Sequence, residues 1–416
     1  MSVWTIRGDK KLYGNVKVQG SKNAVLPIMA ASLLQGGAAT IKNCPSLLDV
    51  EASIEILRYL GCTVLRDGAD VHINSQGVIK NHIPHELMLK MRSSVMYLGA
   101  ILARTGEVIL SRPGGCELGS RPIDLHLKAL QELGAEVSEE GGEVRCKAER
   151  LVGGHVNLDF PSVGATENIM LAACAAKGKT VITNAAREPE IVDLQNFLNT
   201  MGAEIEGAGS SVITIYGFSP KKEITYSVMS DRIVAATYLC AAAATGGDVL
   251  VEGAEHEHIE TILQSLKKMG CGIIIGGNSI RIRRNLPLKS GKPIITRPYP
   301  GFPTDAQSPL MAACLKAEGT SVFVENIFEN RYRHVDELRR LGAEIRTEGR
   351  VAMVSGVSRL SGAILTAPDL RGGAALIIAA LSAEGESRVF DCGHVERGYD
   401  GLDFALSSLG ADITKE

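Results

Sequence analysis

Apolar and polar positions along this chain fall into two alternating patterns, and the pair recurs six times. One pattern is a small-residue helix, a glycine turn and a β-branched strand. It reads IMAASLLQGGAATIKN from Ile28, VMYLGAILARTGEVIL from Val95 and IMLAACAAKGKTVITN from Ile169. It returns as ATYLCAAAATGGDVLVEG from Ala236, LMAACLKAEGTSVFVEN from Leu310 and LIIAALSAEGESRVFD from Leu376. The other pattern is an amphipathic helix with leucines at helical spacing and charges on its outer face, as in LKALQELGAEV and VDELRRLGAEI. It closes on Gly61, Gly134, Gly202, Gly270, Gly342 or Gly410, where a helix end favours a left-handed residue. Those glycines lie roughly 70 residues apart, the mark of an internal repeat. Stretches such as GEVIL and AEI alternate in the manner of strands.

One such unit cannot bury its own helices. A solenoid is one arrangement for a repeat, but this period is long, and Ala- and Gly-rich faces suit helices packed closely at the centre of a domain. The pattern therefore predicts an α/β fold of two similar domains, each of three repeated units, with helices inside, sheets outside and a cleft between the domains. The crossover is expected between Tyr226 and Asp231, giving one domain over 22–229 and a second over 1–21 with 230–416. The stretch through Gly20 reads as a strand pair that completes the second domain.

Length supports this division, since 416 residues exceed the size at which a single core stops growing. A net charge of -3 argues against a general nucleic-acid binder, which needs a basic face. Any anionic ligand must be held by a local cluster of Lys and Arg. The first residues carry no apolar signal core, and no uncharged apolar run is long enough for a bilayer, so no membrane partner is expected. Nine cysteines, odd in number and without CxxC spacing, indicate neither a zinc site nor a disulfide framework. Cys174, Cys240 and Cys314 sit in apolar helical runs as small buried residues, while Cys62 and Cys271 follow equivalent glycine turns. A reduced, cytoplasmic protein is the expectation.

Cys116 differs from the other cysteines. It lies in Ser111-Arg112-Pro113-Gly114-Gly115-Cys116-Glu117-Leu118-Gly119-Ser120-Arg121, between two arginines and among glycines that permit a sharp or mobile loop. Fixed positive charge biases a thiol toward thiolate, making it a better nucleophile and a tunable proton carrier. The arginines can also grip a phosphate or carboxylate. Taken alone, the loop reads equally as a surface turn with an incidental cysteine.

Eight stretches in order extend the picture: GSKNAVLPIMAA at Gly20–Ala31, RPGGCELGSRPIDLHLKALQELGA at Arg112–Ala135, SVGATENIM at Ser162–Met170, NAAREPEIVDL at Asn184–Leu194, GFPTDAQSP at Gly301–Pro309, ENIFENRYRHVDEL at Glu325–Leu338, DLRGGAALI at Asp369–Ile377 and ERGYD at Glu396–Asp400. Through them the chain resembles the enolpyruvyl transferases over essentially its whole length, and within that family the branch acting on UDP-N-acetylglucosamine. The resemblance implies a pair of inside-out α/β barrels. It implies transfer of the enolpyruvyl group of phosphoenolpyruvate to the 3′-hydroxyl of UDP-N-acetylglucosamine with release of phosphate, the committed step of peptidoglycan synthesis. The reaction runs by addition and elimination through a tetrahedral ketal, with no metal and no organic cofactor. An acid must protonate the C3 methylene, a base must take the hydroxyl proton, and cations must hold the phosphate and carboxylate.

The resemblance makes Cys116 the proton donor and gives the phosphate to Arg121 and Lys22, with Asn23 beside it. A lysine near a helix start is otherwise a surface residue, though a cation there opposes the helix dipole. Pro122, Ile123, Asp124 and Leu125 match the stretch that contacts the nucleotide, as do Ser162, Val163 and Gly164; Asp124 is alternatively a helix cap. Arg92 matches a nucleotide-sugar contact, against the alternative of a solvated helix face. Asp305 is the expected general base for the 3′-hydroxyl, or else an N-cap for a helix opening at Ala306. Ile327 matches a nucleotide contact on a loop after a strand. Arg331, Arg371 and Arg397 supply further cations from the second domain, so closure is expected to assemble the anion site and expel water. Asp369 is expected to hold Arg371 or Lys22 in place.

Two departures are visible. Phe160 stands where some relatives of that family place a lysine, and Val234 where they often carry glutamate. His256 and His258 could suggest a metal pair, but no third ligand is nearby. Two rivals remain. The 3-phosphoshikimate enolpyruvyl transferases share the fold and the chemistry, but do not carry the cysteine-bearing PGGC loop. A non-catalytic nucleotide-sugar-binding paralogue would have no need to keep Lys22, Cys116, Asp305 and Arg397 together.

Overall fold

The computed structural model describes residues 2–111 and 123–416; the loop carrying Cys116, Arg121 and Pro122 lies outside the described residues, as does the side chain of Arg92. The described residues divide into two compact units, one over 20–111 and 123–229 and the other over 2–19 and 230–416. Each unit has its own apolar core.

Small residues place helices at the centre of each core. In the first unit, Lys22–Gln35, Tyr97–Thr105 and Val163–Ala173 pack on one another. In the second, the same is true of Arg232–Thr245, Thr304–Cys314 and Leu370–Ser382. Ala and Gly let their backbones approach, so these helices are buried on nearly every side. Arg232–Thr245, for example, is buried from Arg232 through Ala244. The amphipathic helices lie outside them and end as their glycines require: Gly61, Gly134, Gly202, Gly270, Gly342 and Gly410 all have φ between 91° and 115°.

Six four-stranded sheets complete the units, and all share one topology. The strand after a buried helix has a parallel neighbour on one side and an antiparallel neighbour on the other. Thus Ala38–Lys42 runs parallel to Glu223–Ser227, with Thr40 opposite Thr225, and antiparallel to Asp70–Asn74, which pairs onward with Thr63–Asp67. Asp248–Glu252 repeats this with Tyr13–Lys17, Ser279–Arg283 and Gly272–Ile275.

The expected N-terminal strand pair does not form. Trp4–Arg7 instead lies between Glu386–Phe390 and Asp412–Lys415, whereas Tyr13–Lys17 is the parallel edge of another sheet. Between the two strands, the Gly8 and Asp9 amides donate to the Gly385 and Leu381 carbonyls. The second bond satisfies a backbone acceptor at the end of Leu370–Ser382, and the segment carries the chain from one sheet to the next. A strand supplied by the start of the chain therefore completes the last repeat.

Close backbone approach fixes two equivalent glycines. Gly36 and Gly246 end buried helices in the left-handed region, at φ 59° and 81°. The following residues, Gly37 and Gly247, face the Lys222 and Leu12 carbonyls, which leave no room for a Cβ. Those carbonyls accept from Ala38 N and Asp248 N at 2.9 Å, starting each parallel pairing. Gly247→Ala is therefore expected to destabilise the fold by about 2 kcal/mol or more through backbone displacement. Urea unfolding at neutral pH checks this, and an unchanged midpoint would contradict it.

Candidate active site

In the first unit, the amino end of Lys22–Gln35 carries the expected cation. Lys22 is buried, and its Nζ lies 2.6 Å from Oδ2 of Asp49, itself buried in the first turn of Leu48–Leu60. The carboxylate offsets both desolvation of the ammonium and its unfavourable place at a helix amino end. Lys22 is thus no surface lysine, and Asp49 is a carboxylate partner within its own unit. Asn23 is half-buried beside it.

Val163–Ala173 opens similarly. The Ser162 hydroxyl accepts from Ala165 N at 3.4 Å, and the Ser162 carbonyl accepts from the Thr166 hydroxyl at 2.8 Å. Val163 and Gly164 form the first turn. Asp124 does not cap: its helix is Asp124–Glu132 with Ile123 at the cap position, so Asp124 is an exposed first-turn residue and Leu125 is half-buried. Phe160 is 46% exposed, whereas Val234 is fully buried in the second unit's core.

Glu167 follows on the same helix. It is buried, and burial, with lesser contributions from Glu190 and Glu188, pushes its carboxyl well above the ordinary value of 4.5.

In the second unit, Asp305 lies between two buried guanidiniums. Its Oδ1 is 2.9 Å from Arg331 Nη2 and its Oδ2 is 3.2 Å from Arg371 Nη2. Both arginines are 2% exposed. The helix is Thr304–Cys314, with Pro303 at the cap position, so Asp305 sits in the first turn and does not act as the N-cap. Two cations and a helix amino end all favour its charged form. Arg331 Nη2 also donates to the Thr304 carbonyl at 2.9 Å.

Among the described residues, Nε of Arg331 and Nε and Nη1 of Arg371 are buried and meet no hydrogen-bond acceptor. Arg371 lies 5.3 Å from the centre of the Tyr399 ring. Burial works against its charge, but Tyr399, Asp305 and Asp231 more than offset this and hold its pKa above the ordinary value.

Asp369 meets Arg371 at the backbone. Its Oδ1 accepts from the backbone amides of Arg371 and Gly372 at 3.0 and 2.9 Å, making it the N-cap of Leu370–Ser382. It positions Arg371 through the backbone, while Asp305 holds the guanidinium. Arg397 is half-buried at the end of Gly393–Glu396. Just after it, the Gln19 amide donates to the Gly398 carbonyl and accepts from Asp400 N, at 3.2 and 2.7 Å.

Ile327 lies on the loop after Thr320–Val324. Buried Glu325 shapes that loop: its Oε1 accepts from Ile327 N, Phe328 N and the Thr296 hydroxyl, and its Oε2 from the Thr304 hydroxyl. Asp49, Glu325 and Gln19 were missed from sequence. Glu325 opens the stretch ENIFENRYRHVDEL but has no sequence signature of its role, and nothing in the sequence around Asp49 marks it as the partner of Lys22.

The second unit's arrangement offers a charged carboxylate, spare guanidinium donors and half-buried Arg397, suited to an anionic substrate undergoing proton transfer. His258 Nε2 lies 3.4 Å from Glu255, and among the described residues no group of three His, Cys, Asp or Glu is placed to hold a metal ion. No described helix is long and apolar enough to cross a membrane. All eight described cysteines are buried. Burial pushes Cys62 and Cys271 up to about 11, and Cys146, Cys174, Cys314 and Cys392 up to about 12. These thiols are poor nucleophiles at neutral pH.

This fold and the residues at the helix ends place the chain among known proteins. It belongs to the enolpyruvyl transferase family: residues 6–404 match the family described as EPSP synthase (3-phosphoshikimate 1-carboxyvinyltransferase). Among its relatives is UDP-N-acetylglucosamine 1-carboxyvinyltransferase 2 of Caldanaerobacter subterraneus subsp. tengcongensis, 50% identical over 415 residues and covering 100% of both chains. Another is UDP-N-acetylglucosamine 1-carboxyvinyltransferase 1 of Halalkalibacterium halodurans, 48% identical across 99% of this chain and 93% of the relative. The enolpyruvyl transferase NikO from Streptomyces tendae shares the fold with a TM-score of 0.88 at 24% identity, covering 100% of this chain and 98% of the other.

Glu167 gives a pH-dependent prediction. Its folded pKa is raised, so its contribution to stability is fully present below its unfolded value of 4.5 and is lost as pH rises. Glu167→Gln keeps the neutral shape. It should raise the thermal midpoint at pH 8 and change it little at pH 4; an equal shift at both would contradict the assignment.

Proposed function

We propose that this chain transfers the enolpyruvyl group of phosphoenolpyruvate to the 3′-hydroxyl of UDP-N-acetylglucosamine and releases phosphate, as a UDP-N-acetylglucosamine 1-carboxyvinyltransferase serving peptidoglycan synthesis in the cytoplasm. The observation that carries this reading is the Asp305 carboxylate held by Arg331 and Arg371 at a helix amino end. Similarity to relatives of that name along the full chain supports it. The two units correspond in this reading to domains over 22–229 and over 1–21 with 230–416.

In the addition step, Asp305 accepts the proton of the 3′-hydroxyl as its oxygen bonds to C2 of phosphoenolpyruvate, and Cys116 delivers a proton to C3. In elimination, the Cys116 thiolate left by the addition takes a proton back from C3, the double bond re-forms, the C2–O bond to phosphate breaks, and the proton held by Asp305 leaves with the phosphate. Lys22 and Arg121 neutralise the phosphate, while Arg331, Arg371 and Arg397 provide cations for the remaining negative charge. Asn23, Arg92, the stretch from Pro122 to Leu125, Ser162 to Gly164 and Ile327 bind the nucleotide sugar. Phosphate release with UDP-N-acetylglucosamine against shikimate 3-phosphate tests the reading. Turnover with the second acceptor alone, or with neither, overturns it.

Asp305→Asn retains the shape but loses the proton acceptor. Turnover should fall by roughly 10²- to 10⁴-fold, while binding of the nucleotide sugar, followed by calorimetry, changes little. Near-normal turnover removes Asp305 from the mechanism.

Cys116 makes a second, independent prediction. The anionic phosphonate epoxide fosfomycin should be drawn to the cations and alkylate this thiol, because burial raises the other thiols cited above. Intact-mass and peptide analysis should find a single adduct on Cys116. Cys116→Asp should retain turnover, resist the epoxide and move the pH optimum downward, whereas Cys116→Ser should lose most activity. An adduct on a different cysteine, or full activity in Cys116→Ser, would count against the assignment.

A further inference from the structure

The amide side chain of Asn168 is 1% exposed and bonded to three different segments of the first unit. Its Oδ1 accepts from the backbone amide of Gly99 at 2.6 Å. Gly99 stands in the first turn of Tyr97–Thr105, a helix with no side-chain cap of its own, and Asn168 gives its amide an acceptor from a neighbouring helix. The fit requires glycine, because a Cβ on Gly99 would collide with the Asn168 carbonyl.

On its other side, Asn168 Nδ2 is 2.8 Å from Nδ1 of His126, 3.1 Å from the Val95 carbonyl and 3.3 Å from the Gly164 carbonyl. An amide nitrogen only donates, so His126 Nδ1 is the acceptor and the ring proton belongs on Nε2. Burial lowers the His126 pKa to about 4, which keeps this neutral form at physiological pH. The ring also lies against Gly164, where an added Cβ would approach His126 Cε1 to 3.0 Å.

Each segment joined by Asn168 carries residues assigned above to the nucleotide sugar. Val95 belongs to the turn Arg92–Met96, His126 follows Asp124 and Leu125 on their helix, and Gly164 is itself in the Ser162–Gly164 turn. We propose that Asn168 and His126 are positioning residues that hold these three segments in register and so set affinity for the nucleotide sugar, without touching the reacting atoms. The inference rests on the proposed reaction.

Asn168→Asp separates this role from folding. The aspartate keeps an acceptor for Gly99 N and places negative charge at a helix amino end, which is favourable, but it loses both donors. Unmaking buried hydrogen bonds to the Val95 carbonyl and His126 should raise KM for UDP-N-acetylglucosamine about 10-fold or more. KM for phosphoenolpyruvate and kcat should stay within about threefold of wild type. His126→Asn, which leaves the Gly99 and Val95 bonds in place, should give a smaller rise in the same KM, and it carries the test if Asn168→Asp does not fold.

Nitrogen-15 spectra of histidine-labelled protein supply a readout that stability alone would not move. The wild type should show His126 as the Nε2–H tautomer, assigned by loss of its signal in His126→Asn. An Nδ1–H tautomer, unchanged nucleotide-sugar KM in folded variants, or an equal rise for both substrates would overturn this inference alone. Failure of the wild type to turn over UDP-N-acetylglucosamine would overturn the reaction assignment and this inference with it.

Discussion

A helix buried on all sides has nowhere to solvate its end groups, and the rest of this structure follows from that constraint. The first amides and last carbonyls of each central helix lack intrahelical partners and must find them in protein. At the carboxyl ends, glycines and passing backbone supply the answer: Gly36 and Gly246 turn left-handed, and the Asp9 amide donates to the Leu381 carbonyl at the end of Leu370–Ser382. At the amino ends, side chains supply it: Asp231 and Asp369 cap their own helices, and Asn168 reaches across to Gly99. Polar side chains are thereby concentrated at the helix amino ends, where partial positive charge also favours anions.

Charge burial at those ends is difficult to explain as a device for stability. Replacing a buried ion pair by well-packed apolar groups is often neutral or stabilising, yet Lys22 and Asp49 are buried together and two buried arginines, Arg331 and Arg371, hold the partly exposed Asp305. Their geometry leaves chemistry available, as the donors on Arg331 and Arg371 that meet no acceptor among the described residues show. Fixed dipoles and charges need no reorganisation when charge develops on a substrate, and that is the property an addition-elimination reaction requires.

The repeat, its glycines and the layering of helices within sheets were legible in the sequence because they depend on local periodicity. Gly202 had to be left-handed wherever its helix packed. What was not legible depends on partners remote in sequence. Trp4–Arg7 and Tyr13–Lys17 read as neighbours because they are adjacent in the chain, but strands missing from two distant sheets decide their pairing. Asp305 and Asp124 resembled caps because an acid near a helix start so often is one; a two-residue difference in the start of a helix, and Arg331 and Arg371 further on, settle what Asp305 does. Asn168 and Glu325 stood inside recognisable motifs, but the carbonyls and amides they serve have no sequence signature.

The two units share an architecture and differ at their helix ends, which is where their chemistry diverges. In the first unit, Ser162 and the uncharged Asn168–His126 pair organise the ends, with one compensated cation at Lys22. Neutral donors and acceptors of this kind suit a sugar, amide or base, whose recognition depends on direction more than on charge. In the second unit, Asp231 and Asp369 cap while Asp305 binds two guanidiniums. Charged groups in fixed positions suit proton transfer and the neutralisation of anions. A repeated fold thus supplies six equivalent helix amino ends, and the few residues at each end, rather than the packing beneath them, determine what each can bind.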